Sequence, residues 1–173
     1  HRDLHLSLRR QRQMCIRDRY TPIDNESIPT GELASVEGTP LDFRTAKTIG
    51  VDINSSHEQI RFGSGFDHNF IISHATEGDL TLAASVLSPS SGRTLKVFTD
   101  QPGMQFYTGN FLNGTLIGKE GAVYARRNAF CLETQHYPDS PNNPGFPSTI
   151  LRPRERYTTR TIFEFDVISE RYH

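Results

Sequence analysis

At 173 residues, with 35% hydrophobic and 23% charged side chains, the chain is long enough for one domain with its own core and short for two. Trp is absent, but 11 Phe and 6 Tyr supply the large apolar surfaces a core needs. The net charge of -1 is uneven: residues 1–19 hold six Arg against two Asp, so the rest is mildly acidic. That balance excludes a nucleic-acid face built on clustered Lys and Arg, and no apolar run is long enough for a membrane-spanning helix.

Residues 1–19 have no apolar h-region and no small-residue cleavage site, so they are not a secretory signal. They are Arg-rich like a mitochondrial transit peptide, but the run from Leu6 to Arg19 resembles translated sequencing-adaptor sequence. The segment is therefore set aside as non-native, and the domain is taken as 20–173. Cys15 lies in it, which leaves Cys131 alone in the body, with no disulfide framework and no Cys/His spacing for zinc. A reducing, cytoplasmic setting and no metal are expected.

Residues 20–50 are punctuated by Pro22, Pro29-Thr30-Gly31 and Glu37-Gly38-Thr39-Pro40, which predicts loops and short extended pieces such as 33–36. A brief helix is expected only near 45–50. Strands are predicted at 69–72, 80–87 and 94–99, separated by Glu77-Gly78-Asp79 and Ser88-Pro89-Ser90-Ser91-Gly92. Further strands are expected at 103–108, 129–135 and 157–167, the last alternating in the manner of a half-buried strand. Three prolines in residues 140–147 predict an irregular loop. Many short strands at this spacing indicate an all-β antiparallel sandwich or barrel.

Three polar side chains stand out. Glu133 interrupts the apolar Phe130-Cys131-Leu132-Glu133-Thr134-Gln135 and shares a strand face with Cys131. It is either a solvated strand carboxylate or, on a concave and partly desolvated face, a general base. Asp67, in Gly65-Phe66-Asp67-His68-Asn69, either caps its own turn or accepts hydrogen bonds from sugar hydroxyls. Gln105 shares a face with Tyr107, an amide and an aromatic that either bind a pyranose or form an outward polar face. His57, His68, His74 and His136 show no metal-ligand spacing, and neither a Gly-x-Ser-x-Gly elbow nor a phosphate-cradling glycine loop occurs.

Together with Tyr20-Thr21-Pro22-Ile23-Asp24, Ile28-Pro29-Thr30-Gly31-Glu32, residues 36–44 and Gln101-Pro102-Gly103-Met104-Gln105-Phe106-Tyr107-Thr108-Gly109-Asn110, these strings resemble, in order, the aldose 1-epimerase (galactose mutarotase) family. The resemblance implies an antiparallel β-sandwich whose concave face binds a free hexose such as glucose or galactose, without a cofactor. It implies Glu133 as the general base and Asp67 and Gln105 as substrate-binding residues. It also implies that the chain holds the C-terminal part of the fold, and that the catalytic His acting as acid belongs to a missing N-terminal half. The isolated chain is then expected to be poorly soluble and inactive. Two alternatives stand beside it: a noncatalytic carbohydrate-binding sandwich, and a hexose-6-phosphate 1-epimerase, which wants Arg or Lys at its pocket rim. Arg93, Arg126 and Arg127 are available for that rim, but their pattern reads as surface charges flanking turns.

Overall fold

The computed structural model describes residues 13–74, 76 and 78–168. Among the described residues, ten strands form two five-stranded antiparallel sheets packed face to face. In chain order they are β1 (Gln13–Cys15), β2 (Arg19–Tyr20), β3 (Ala34–Ser35), β4 (Lys47–Thr48), β5 (Asp67–Ile71), β6 (Thr81–Ser88), β7 (Arg93–Thr99), β8 (Gly103–Tyr107), β9 (Cys131–Gln135) and β10 (Thr161–Val167). One sheet runs β10-β7-β6-β1-β4 and the other β3-β2-β5-β8-β9.

The period of two in the sequence assigns the faces. His68 and Phe70 on β5, Met104 and Phe106 on β8, and Val97 on β7 all point between the sheets and are fully buried. Phe43, Phe66 and Phe106 form an aromatic knot there, with ring centroids 5.1 to 5.8 Å apart. On β6 the register shifts between Leu82 and Ala84, a bulge that turns both Ala83 and Ala84 inward.

Residues 1–12 of the set-aside segment lie outside the described residues, and residues 13–19 pair with the rest of the chain. Strand β1 sits between β6 and β4, pairing Met14 with Val86 on one side and with Lys47 on the other. Met14 and Ile16, two positions apart, share the inner face and are buried in the main core. The basic composition of the segment masked this short apolar alternation.

The expected helix at 45–50 is instead β4 followed by a turn. The one α-helix among the described residues, α1 (Glu58–Phe62), has five residues, too few to leave a 3.6-residue period in the sequence. His57 caps it by accepting the Gln59 amide on Nδ1 at 3.3 Å. The buried Gln59 side chain then acts as a surrogate peptide for Ile23, accepting its N–H at 2.9 Å and donating to its carbonyl at 2.8 Å.

Strand β10 also differs from expectation. It begins at Thr161 because the Asp100 carboxylate takes the Arg160 amide and the Thr159 hydroxyl, which ties off the preceding residues. It is an edge strand, and its apolar side chains are not half buried: Phe163 and Phe165 are 49% and 76% exposed.

Candidate active site

The outer face of the second sheet carries the candidate site. Antiparallel register places Asp67, Tyr107 and Cys131 side by side across β5, β8 and β9, with Asn69, Gln105 and Glu133 in the next row and Ile71, Gly103 and Gln135 in the third. All nine share one face because each strand contributes alternate residues. The three residues singled out in the sequence therefore come together, from segments 38 and 28 positions apart in the chain.

Amides order this surface. Gln105 donates Nε2–H to Asp67 Oδ1 at 2.8 Å, and Gln135 Nε2 donates to Gln105 Oε1 and Asn69 Oδ1, each at 3.3 Å. The relay fixes which way the Gln105 amide points and holds Asp67 toward its neighbour across the sheet. Asp67 therefore does not cap its own turn, the role its sequence context favoured. Burial pushes the Asp67 carboxyl above its usual range and the nearby Glu133 charge adds to this, while the Gln105 hydrogen bond opposes both. Burial, with Glu133 adjacent, likewise raises the Cys131 thiol. Glu133 itself is exposed, not partly desolvated as a concave-face strand position implied, because β9 is the outermost strand of its sheet.

Asp67, Gln105, Tyr107, Phe111, Glu133, Gln135 and Pro138 line a cleft of about 300 Å³. No histidine lines it. His68 faces the core, and its Nδ1 accepts the Asp67 amide at 3.1 Å. His74 is bound to Thr81 and the Gln101 carbonyl, and His136 to the Gln101 side chain. Among the described residues no group of three or more His, Cys, Asp or Glu is placed to hold a metal ion.

The sequence pattern passed over the residues that hold this face in place. Asn69 and Gln135 were legible only through register, being two positions after Asp67 and Glu133. Asn110 looked like an ordinary turn residue, yet its Nδ2 donates to the Gly63 and Phe66 carbonyls at 2.9 Å and its Oδ1 accepts the Thr108 hydroxyl at 2.8 Å. A Cβ on Gly65, whose φ is +140°, would lie 2.3 Å from Asn110 Oδ1, so only glycine admits this clamp beside Asp67.

Arg127 also departs from expectation: it is no surface charge but a buried tie. Its guanidinium reaches Asn54 Oδ1 at 2.5 Å and the carbonyls of Ile53 and Ser64 at 3.2 and 3.0 Å, joining the loop after β8 to the segment that leads into β5. Arg126 also donates to Ser64 O, at 3.0 Å, so neither points into the cleft. Arg127→Ala is expected to destabilise the domain by about 3 kcal/mol, since charged hydrogen bonds are lost and buried carbonyls are left unpaired. Denaturant unfolding at neutral pH measures this. A midpoint equal to the parent's would mean the guanidinium contributes nothing net.

Gly103 admits the third row. An added Cβ would stand 2.4 Å from Asn69 Oδ1 and 3.0 Å from the Tyr137 ring. Gly103→Ala is expected to cost about 2 kcal/mol through overpacking and to displace the Asn69–Gln135 contact. The stability loss is checked by thermal melting and the displacement by side-chain amide NMR shifts of Gln135.

The sequence model of the family described as Aldose 1-epimerase matches residues 1–164. The chain belongs to the aldose 1-epimerase family. It is 49% identical over 150 residues to human galactose mutarotase, covering 87% of this chain and 42% of that protein. Against Escherichia coli aldose 1-epimerase it is 38% identical over 160 residues, covering 91% and 45%. The crystal structure of galactose 1-epimerase from Lactobacillus acidophilus superposes with a TM-score of 0.76 at 28% identity, covering 92% of this chain and 45% of that one. A GalM/aldose epimerase homologue from C. elegans, at 24% identity and the same TM-score, shows the shared fold. The chain thus spans a little under half the length of the relatives it matches.

Proposed function

We propose that this chain contributes to the interconversion of the α and β anomers of free hexoses, glucose and galactose among them, with Glu133 as the general base. The observation that carries this reading is the convergence of Asp67, Gln105 and Glu133 on one face of three adjacent strands, lining one cleft. Carboxylates and amides are the groups that take up sugar hydroxyls in directional hydrogen bonds.

In this reading Glu133 removes the proton from the C1 hydroxyl while an acid delivers a proton to the ring oxygen. The C1–ring oxygen bond breaks, the open-chain aldehyde rotates about C1–C2, and closure with the roles reversed gives the other anomer. Asp67 and Gln105 hold ring hydroxyls so that C1 stays near Glu133, which is positioning in the sense that lowers the entropic barrier. The ring-oxygen acid is assigned to a part of the full-length protein beyond this match, since no histidine lines the described cleft. The reaction so written uses no cofactor.

A phosphorylated hexose fits this cleft poorly. Two carboxylates line it, whereas a phosphate dianion wants Arg or Lys, and Arg126 and Arg127 are turned to backbone carbonyls instead. We infer a reducing compartment such as the cytoplasm, because Cys131 is a free thiol.

Polarimetry of fresh α-D-galactose tests the reading. A protein carrying this segment at the relatives' full length is expected to speed equilibration, whereas the 173-residue chain alone leaves the buffer rate unchanged. No acceleration by the full-length protein with any free hexose would refute the assignment. Equal acceleration by the 173-residue chain would place the acid within it.

A further inference from the structure

Phe111 is 64% exposed, yet it is held in place on the rim of the cleft. Its ring stacks on Tyr107 with centroids 6.2 Å apart and planes within 17°, and its backbone N–H donates to the Tyr107 hydroxyl at 3.1 Å. The turn that presents it is pinned from two sides. Asn110 is buried in the clamp described above, and the Arg127 amide donates to the Gly109 carbonyl at 3.0 Å. An exposed aromatic ring on a pinned turn, lying near-parallel to and offset from Tyr107 and lining the same cleft, offers a surface for an apolar ligand face.

The rest of the cleft complements it. Asp67, Gln105, Glu133 and Gln135 present hydrogen-bonding groups on the floor, and Phe111 and Tyr107 form an apolar side wall. A pyranose has the same division, hydroxyls around its edge and C–H bonds across its faces. We propose that Phe111, backed by Tyr107, is a specificity-determining residue that packs against the C–H face of the bound sugar. In galactose the axial 4-hydroxyl leaves the C3, C4 and C5 hydrogens together on one face, a larger continuous apolar patch than glucose offers. The platform therefore favours galacto- over gluco-configured pyranoses. This rests on the sugar-binding reading of the cleft proposed above.

The test uses a protein carrying this segment at the relatives' full length, with methyl β-D-galactoside and methyl β-D-glucoside, which cannot change anomer, so binding is read apart from turnover. Saturation-transfer NMR on the galactoside is expected to be strongest at H3, H4 and H5. Phe111→Ala and Phe111→Leu are expected to weaken its binding roughly 3- to 10-fold, to affect the glucoside less, and to leave the melting temperature unchanged. Phe111→Tyr is expected to restore binding. Equal affinities for parent, Phe111→Ala and Phe111→Leu, or saturation confined to the hydroxyl-rich edge, overturn the inference and leave the sugar-binding reading intact. Failure of the parent chain to bind any hexose or hexoside overturns both.

Discussion

Glu133→Gln, introduced into a protein carrying this segment at the relatives' full length, is expected to lower the rate of anomer exchange by roughly 10²- to 10⁴-fold while leaving hexose affinity nearly unchanged. The amide has the shape of the carboxylate but cannot accept the C1 hydroxyl proton. Glu133 makes no part of the Asp67–Gln105–Gln135 relay, so that relay survives the change. Exchange spectroscopy between the two anomeric proton signals gives the rate, and titration with the sugar gives the affinity. Full activity in the variant would show that the base lies elsewhere on this face. A noncatalytic carbohydrate-binding module, by contrast, would show no exchange above the buffer rate in either protein.

Mild acid is expected to unfold the domain through His68. Burial depresses this imidazole to about 3, from the ordinary 6.5. The folded state therefore stays neutral where the unfolded chain takes up a proton, and the stability is complete above about pH 6.5 and falls as the pH drops toward 3. Each unit in that window costs about 1.4 kcal/mol, for a total near 5 kcal/mol if the whole window is crossed. The ring cannot move to water, because it is fully buried between the sheets with the edge of Tyr20 at 6.1 Å and its Nδ1 engaged by the Asp67 amide. Asp67 works in the opposite sense at the lower end: its raised carboxyl holds a proton more readily when folded, which returns part of the loss. Denaturant midpoints at pH 7, 5 and 4 report the slope, and His68→Gln is expected to flatten it. A slope that persists in His68→Gln would assign the acid sensitivity to other groups.

The strands that position the site were legible because their chemistry is local. Met104 and Phe106 flank Gln105, and Leu95 and Val97 flank Lys96, so a period of two is visible within five residues. Glu133 and Gln105 stood out for the same reason, as polar side chains among apolar strand residues, and Asp67 as a carboxylate where a loop enters a strand. What was hidden depends on partners distant in the chain. Arg127 looks solvated until Ile53 and Ser64 are brought to it, and Asn110 looks like a turn until Gly63 and Phe66 close around it. The strand at Gln13–Cys15 was obscured by the arginines around it, although Met14 and Ile16 carry the same alternation as the longer strands. Exposure was the least legible property. Nothing in the sequence of β9 or β10 says that each ends its sheet, and that position alone decides whether Glu133 or Phe165 meets water.

Among the described residues, strand β9 is hydrogen-bonded on one side only, to β8, whereas β5 and β8 are held on both. A strand secured along a single seam opens at a lower free energy than its inner neighbours, so Asp67 on β5 and Gln105 on β8 are held more firmly than Glu133 on β9. In the proposed mechanism, the two side chains assigned to the sugar hydroxyls therefore stand on firmer strands than the carboxylate assigned as base.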